Sequence, residues 1–184
     1  MKLAGVTRLV HLKSVASTQT EARRLAEAGA ASGTLVWADR QTAGRGRLGR
    51  KWKPAEGGLY ASWVLRPKVA PERLAELSLL CGEALAEALR GLGPKTAVKP
   101  PNDVLALCAD GKARKLCGVL IEASGDASGL HWVVVGFGVN CGEAPPLARA
   151  TGLKALTGRA EAPAAVLKAA MTRLFRAARA GHFL

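Results

Sequence analysis

Aromatic residues are scarce in this chain: one tyrosine, three phenylalanines and four tryptophans among 184 residues. With no recognised RNA-binding motif and no paired surface aromatics, a basic RNA-binding domain is permitted by charge but not marked by sequence. Acids are scarce as well, 14 Asp and Glu against 27 Lys and Arg, for a formal net charge of +13. Phosphate, nucleic acid and acidic protein are therefore the partners to expect. The four cysteines, Cys81, Cys108, Cys117 and Cys141, form no CxxC pair and have no histidine pair nearby, which argues against a zinc site and a redox motif. No long apolar stretch precedes a small-residue cleavage site at the N-terminus, and the most apolar region, residues 130–141, is too short to span a bilayer. These absences describe a cytoplasmic protein with reduced thiols and no membrane partner.

What is present is a hydrophobic fraction of 49%, enough to bury a substantial core, in a length that suits a single domain over residues 1–184. Residues 9–15 read as a first strand. Ser17-Thr18-Gln19-Thr20-Glu21 then offers a hydroxyl N-cap with an acid three residues after Thr18, opening a helix that Gly29 stops. Strands follow at 34–38 and 59–65, separated by a long loop over 41–58 in which glycine and basic residues replace the apolar pattern. A helix from Pro71 to residue 90 has Leu74, Leu77, Leu80 and Leu85 on or near one face. Three more strands are expected near Val98, over 104–107 and over 115–123, the last two joined by a turn at Asp110-Gly111. A turn at 125–129 leads to a strand over 130–139 whose continuous apolar run suits the centre of a sheet. Leu167, Met171, Leu174 and Phe175 then mark a last helix. Strands and helices that do not alternate strictly favour an α+β fold.

Four stretches carry chemistry. In Gly44-Arg45-Gly46-Arg47-Leu48-Gly49-Arg50-Lys51-Trp52 the glycines allow close backbone approach, and Arg45, Arg47 and Arg50 present forked donors suited to phosphate. Six basic residues and no acid lie between Arg40 and Lys53, so the loop repels itself and should be mobile until an anion arrives. On composition alone it is equally an RNA-contacting or solvated loop, and its spacing is not that of a GxxxxGK[ST] phosphate loop. Lys99-Pro100-Pro101-Asn102-Asp103 is a polar break after a strand, which taken alone is a turn. Lys115 enters the apolar strand Leu116-Cys117-Gly118-Val119-Leu120-Ile121-Glu122, either to meet an anion or to snorkel to water. Gly136-Phe137-Gly138-Val139-Asn140 places two glycines inside a strand, marking close approach of a ligand or backbone, or a bulge.

Ser17-Thr18-Gln19, the Gln41-Thr42-Ala43 lead into the glycine-rich stretch, and these motifs together, in this order, resemble the biotin protein ligases (biotin-[acetyl-CoA-carboxylase] ligases). The resemblance implies a catalytic domain with a central mixed, largely antiparallel sheet flanked by helices, similar to class II aminoacyl-tRNA synthetases. It implies ATP, Mg2+ and biotin as reactants, a biotin carboxyl carrier protein domain of acetyl-CoA carboxylase as acceptor, and room for a homodimer; with no winged helix expected, no DNA partner is expected either. Carried onto this sequence, the biotin-binding residues are Ser17, Thr18, Gln41, Gly44, Arg45, Lys115, Gly118 and Gly136. The adenylate-binding residues are Arg45, Arg47, Arg50, Trp52, Lys115 and Asn140, with Trp52 stacking on adenine. The catalytic set is Lys115, Arg47, Asp103 and Asn102, and Asp103 is the magnesium ligand or orients the incoming lysine. The chain departs from the family at Pro100, where tryptophan is usual, and at Gln19, where asparagine is common. Neither an N-terminal winged helix nor the small C-terminal β-barrel of the family is expected. Lipoate or octanoate transferases share the fold, and a binding protein for the adenylate with weak transfer is a further alternative.

Overall fold

The computed structural model describes residues 1–50, 52, 57–126, 129–143 and 146–184. Seven strands form one sheet: β1 (Arg8–Leu12), β2 (Thr34–Ala38), β3 (Leu59–Leu65), β4 (Thr96–Lys99), β5 (Asp103–Leu107), β6 (Ala113–Asp126) and β7 (Gly129–Val139). Their order is β1-β2-β3-β7-β6-β5-β4. β1 runs parallel to β2 and every other pairing is antiparallel, which is the mixed, largely antiparallel α+β sheet expected. β7 occupies the middle position, and Val133, Val134 and Val135 are fully buried, as an uninterrupted apolar run demands.

The helices are α1 (Thr18–Glu27), α2 (Leu74–Arg90), α3 (Leu153–Thr157) and α4 (Pro163–Ala180). α2 and α4 pack together on one face of the sheet, burying Leu77, Leu85, Leu167, Met171 and Leu174. Removing one such leucine to alanine costs about 2–5 kcal/mol. α1 lies on the other face, with Ala22 and Ala26 against Val36, Val64 and Val134. Arg66 anchors its far end by donating to the carbonyls of Ala26 (2.8 Å) and Ala30 (2.9 Å), where the helix dipole favours a cation. Because α1 contacts β2, β3 and β7, the β6 side of that face is left for the site.

Local expectations differ from the structure in several places, three of them near the ends of expected elements. β1 ends at Leu12, and Val15 continues only as an isolated bridge to Gln41. The N-cap of α1 is Ser17, with no side-chain cap bond. Glu21 turns to Arg24 instead, at 2.6 Å, so no capping box forms. The turn at 125–129 is shorter than expected, since Asp126 and Gly129 are still register partners.

Candidate active site

Alternation along the strands puts Ser62 of β3, Gly136 and Gly138 of β7 and Gly118 and Leu120 of β6 on the α1 face. They are cross-strand neighbours: Ser62 opposite Gly136, Gly138 opposite Gly118, Gly136 opposite Leu120. Small residues here leave a trough. The N-terminus of α1, the glycine-rich loop and the turn between β4 and β5 wall it into a cleft of about 270 Å³.

The closed end is polar although buried. Ser17, Thr18, Gln19, Gln41 and Ser62 are all nearly inaccessible. The Thr18 backbone N–H and hydroxyl both donate to Gln41 Oε1, at 2.7 and 3.1 Å. Ser62 Oγ is 3.0 Å from Thr18 Oγ1 and 3.1 Å from Gln19 Oε1, but its single proton serves one acceptor at a time. Gln19 Nε2 donates to Val134 O at 3.3 Å, and Ser17 Oγ is buried with no partner. Buried polar groups normally have partners, so this end holds unfilled hydrogen-bonding capacity. A Cβ at Gly136 would run into Gln19 Oε1. The close approach expected at that glycine is thus made by a side chain of the same protein.

The open end is cationic, and a backbone irregularity arranges it. Val104 pairs with Cys117 while Leu105 pairs with Lys115, leaving Leu116 as an extra residue. Leu116 and Cys117 both enter the core, and this β-bulge turns Lys115 back to the cleft face, a known use of bulges beside active sites. There Lys115 Nζ lies 2.6 Å from Asp103 Oδ1 and 5.1 Å from the centroid of the Trp52 ring. The indole lies against Gly118 and Gly138, where Cβ atoms would stand 3.1 and 3.2 Å from it. Arg45 pairs with Glu122 at 2.9 Å, and Arg47 donates to Asn102 Oδ1 at 3.3 Å. Asn102 is itself fixed, its Nδ2 donating to Val119 O at 2.8 Å. The loop closes on itself through Gly46 N to Arg50 O (2.8 Å) and Trp52 N to Gly44 O (2.9 Å). Of the stretch expected to be mobile, Lys51 and residues 53–56 lie outside the described residues.

Twelve residues singled out from sequence line this one cleft: Ser17, Thr18, Gln41, Arg45, Arg47, Arg50, Trp52, Asn102, Asp103, Lys115, Gly118 and Gly136. Gly44 and Asn140 are not in its lining. Gly44 packs beneath Trp52 and Gln41. Asn140 is buried, with Nδ2 on Thr151 O (2.9 Å), its backbone N–H on Leu116 O (3.0 Å) and Oδ1 unpartnered; it ties the chain after β7 to the bulge. Pro100, joined to Pro101 by a cis peptide, is exposed and outside the lining. Of the lining residues, Ser62 alone lies outside every stretch singled out in the sequence. For Ser62 a signal existed, since a hydroxyl inside the wholly buried strand LYASWVL requires a partner.

The sequence matches the Biotin/lipoate A/B protein ligase family over residues 11–140. The chain belongs to that family. It is 36% identical over 139 residues to the bifunctional ligase/repressor BirA of Bacillus subtilis, covering 74% of this chain and 41% of that protein. It is 40% identical over 132 residues to the biotin--[acetyl-CoA-carboxylase] ligase of Paracoccus denitrificans, covering 70% and 52%. The chain thus spans about half, or less, of the length of these curated relatives. Among solved structures, the biotin protein ligase from Aquifex aeolicus in complex with biotin and ATP superposes with a TM-score of 0.79 and 38% identity, covering 96% of this chain and 72% of that one. Among the described residues no helix is long and apolar enough to cross a membrane.

Proposed function

We propose that residues 1–184 form the catalytic domain of an ATP-dependent biotin protein ligase, which activates biotin as biotinyl-5′-AMP and passes the biotinyl group to a lysine of a biotin carboxyl carrier domain. The observation that carries this reading is the gradient along the cleft, from five buried hydroxyl and amide side chains at the closed end to Lys115, Arg45 and Arg47 at the open one. It suits a ligand with a hydrogen-bonding ring at one end and a carboxylate at the other. A cyclic urea brings a carbonyl and two N–H groups to this end, where Ser17 Oγ is buried without a partner. The dithiolane of lipoate would leave that hydroxyl unpaired, at about 1–3 kcal/mol. The octanoyl chain fares no better, so biotin is favoured within the family.

In the first step a biotin carboxylate oxygen attacks the α-phosphorus of ATP and the bond to pyrophosphate breaks. Two anions must meet; in this reading the ammonium of Lys115 offsets both, while Arg45 and Arg47 add forked donors. Asp103 holds Lys115 in place at 2.6 Å. Trp52 offers an aromatic face for adenine beside Lys115. In the second step the acceptor ε-amine attacks the acyl carbon and AMP leaves. No group of three His, Cys, Asp or Glu able to hold a metal occurs among the described residues. An ion entering with the phosphates of ATP needs few protein ligands, and Asp103, at the cleft wall with Oδ1 on Lys115, would offer it a carboxylate oxygen or orient the incoming lysine. When bound, Mg2+ would neutralise phosphate charge.

In this reading the enzyme is cytoplasmic and is able to pair as a homodimer. Its +13 charge speeds encounter with an acidic carrier domain, so transfer slows with salt more than adenylation does. Calorimetry with biotin, lipoate and RNA in parallel tests the choice of ligand: biotin alone should give saturable heat. Tight binding of lipoate, or of RNA without biotin, would overturn it.

A further inference from the structure

The strand motif that begins at Lys115 ends in Glu122, a residue with no part in the chemistry above. Beyond its bulge β6 alternates regularly, so Gly118, Leu120 and Glu122 share the cleft face, and Glu122 lies one step past the lining. There its carboxylate meets Arg45: Nη2 is 2.9 Å from Oε1, and Nη1 donates to Oε2 at 3.3 Å. Two parallel contacts between a guanidinium and a carboxylate fix orientation as well as distance. One partner belongs to the glycine-rich loop and the other to the central sheet, 77 positions apart.

Without such a tie the loop has physical reasons to stand off the sheet. Six basic residues and no acid lie between Arg40 and Lys53. Its tip is Leu48, at φ 56° in the left-handed region and 87% exposed, so no apolar contact anchors it. Four contacts draw it down among the described residues: Trp52 on Gly118 and Gly138, Lys115 Nζ over the Trp52 ring, Arg47 on Asn102, and Arg45 on Glu122, the one ion pair of the four. Gly46 is extended at φ −125°, ψ −179°, which sends Arg45 and Arg47 to the same side.

We propose that Glu122 is a positioning residue that latches the glycine-rich loop over the cleft through Arg45. The consequence for catalysis rests on the ligase reading, while the latch itself does not. A latched loop keeps water from the acyl adenylate. The competing reaction is hydrolysis, in which a water oxygen attacks the acyl carbon and AMP leaves, returning biotin without transfer. The pair is partly exposed, 39% at Arg45 and 23% at Glu122. Its hold is correspondingly modest, which lets the loop reopen for product release.

Glu122→Gln and Glu122→Ala, compared with the unmodified chain in two measurements, test this. The first is amide hydrogen exchange without ligand at Gly46 and Trp52, whose N–H groups close the loop. Both variants should exchange there about 3- to 10-fold faster, with α2 and α4 unchanged. The second, with biotin, MgATP and a carrier domain, is the ratio of pyrophosphate released to carrier biotinylated. It should rise about 3- to 10-fold, while pyrophosphate release itself falls less than about 3-fold. Unchanged loop exchange in folded Glu122→Ala overturns the latch, whatever the activity. Faster exchange with an unchanged ratio overturns its protective role. If the unmodified chain releases no pyrophosphate with biotin, the ligase reading fails, and the exchange result still decides the latch.

Discussion

Lys115 Nζ lies 2.6 Å from Asp103 Oδ1, although regular pairing of β5 with β6 would put the two side chains on opposite faces of the sheet. Asp103 faces Gly118 in register and therefore points to the cleft. Counting back from Gly118 by strict alternation, Lys115 would point to the core. The extra residue Leu116 reverses it. A charge that would otherwise face the core is thereby turned to the cleft.

Lys115→Gln separates this role from that of a solvated strand-end lysine. It keeps much of the length and removes the charge, so adenylation should fall about 10²- to 10³-fold, or roughly 3–4 kcal/mol. Its partly exposed ion pair contributes no more than about 1 kcal/mol to stability, a Tm change of at most about 4 °C. Pyrophosphate release and melting temperature, measured side by side, check both halves.

The glycine slot predicts a second split. At Gly118 a Cβ would stand 3.0 Å from the end of Lys115 and 3.1 Å from Trp52, and at Gly138 it would stand 3.2 Å from Trp52. Gly138→Val should push the indole out, shifting its fluorescence to longer wavelength. The KM for ATP should rise about 10-fold, with biotin affinity changed less than about 2-fold. Equal loss of both affinities would mean that Trp52 serves the biotin end.

The elements were legible in sequence because period and punctuation agree. β2 and β3 occupy 34–38 and 59–65 as expected, and a 3-10 turn at Pro71–Arg73 leads into α2, which ends at Arg90. The site was legible in composition, since glycine and arginine are out of place in a core. The bulge was not, because Lys115-Leu116-Cys117-Gly118 fits an unbroken strand equally well and the extra residue is fixed only by pairing with β5. Nor was Asn140 legible as a tie between Leu116 and Thr151, because a buried asparagine shows its partners only in three dimensions. At Gly136 sequence alone left ligand, backbone and bulge open, and the answer is the Gln19 side chain.

Burial predicts the behaviour of the thiols. It pushes Cys81, Cys117 and Cys141 from an ordinary 9.0 up to about 12, while Cys108 is half-buried. A thiol reagent at pH 8 should label Cys108 rapidly in the native protein, and all four only after unfolding. Folding keeps these three protons, so their contribution to stability is intact below pH 9.0 and declines as pH rises toward about 12. Rapid native labelling of a second cysteine would contradict the packing.

The hairpin between β5 and β6 carries the opposite sign. Arg114 donates to both oxygens of Asp110, at 2.9 and 2.5 Å, and the Lys112 N–H adds a third bond at 3.1 Å. Together they hold the Asp110 carboxyl near 2, below its usual 3.8. This folded value is depressed, so the support is present above pH 3.8 and lost as pH falls toward 2. In Asp110→Asn, hydrogen exchange in the hairpin should already be raised at neutral pH and should not rise further over that window.

The most direct test of the account is whether this chain, with biotin and MgATP and no acceptor, forms biotinyl-5′-AMP. Mass spectrometry of the bound fraction, with pyrophosphate counted in parallel, should find about one adenylate per chain in the unmodified protein and strong depletion in Lys115→Gln. Absence of the adenylate and of pyrophosphate from the folded, unmodified chain at saturating biotin and MgATP would contradict it.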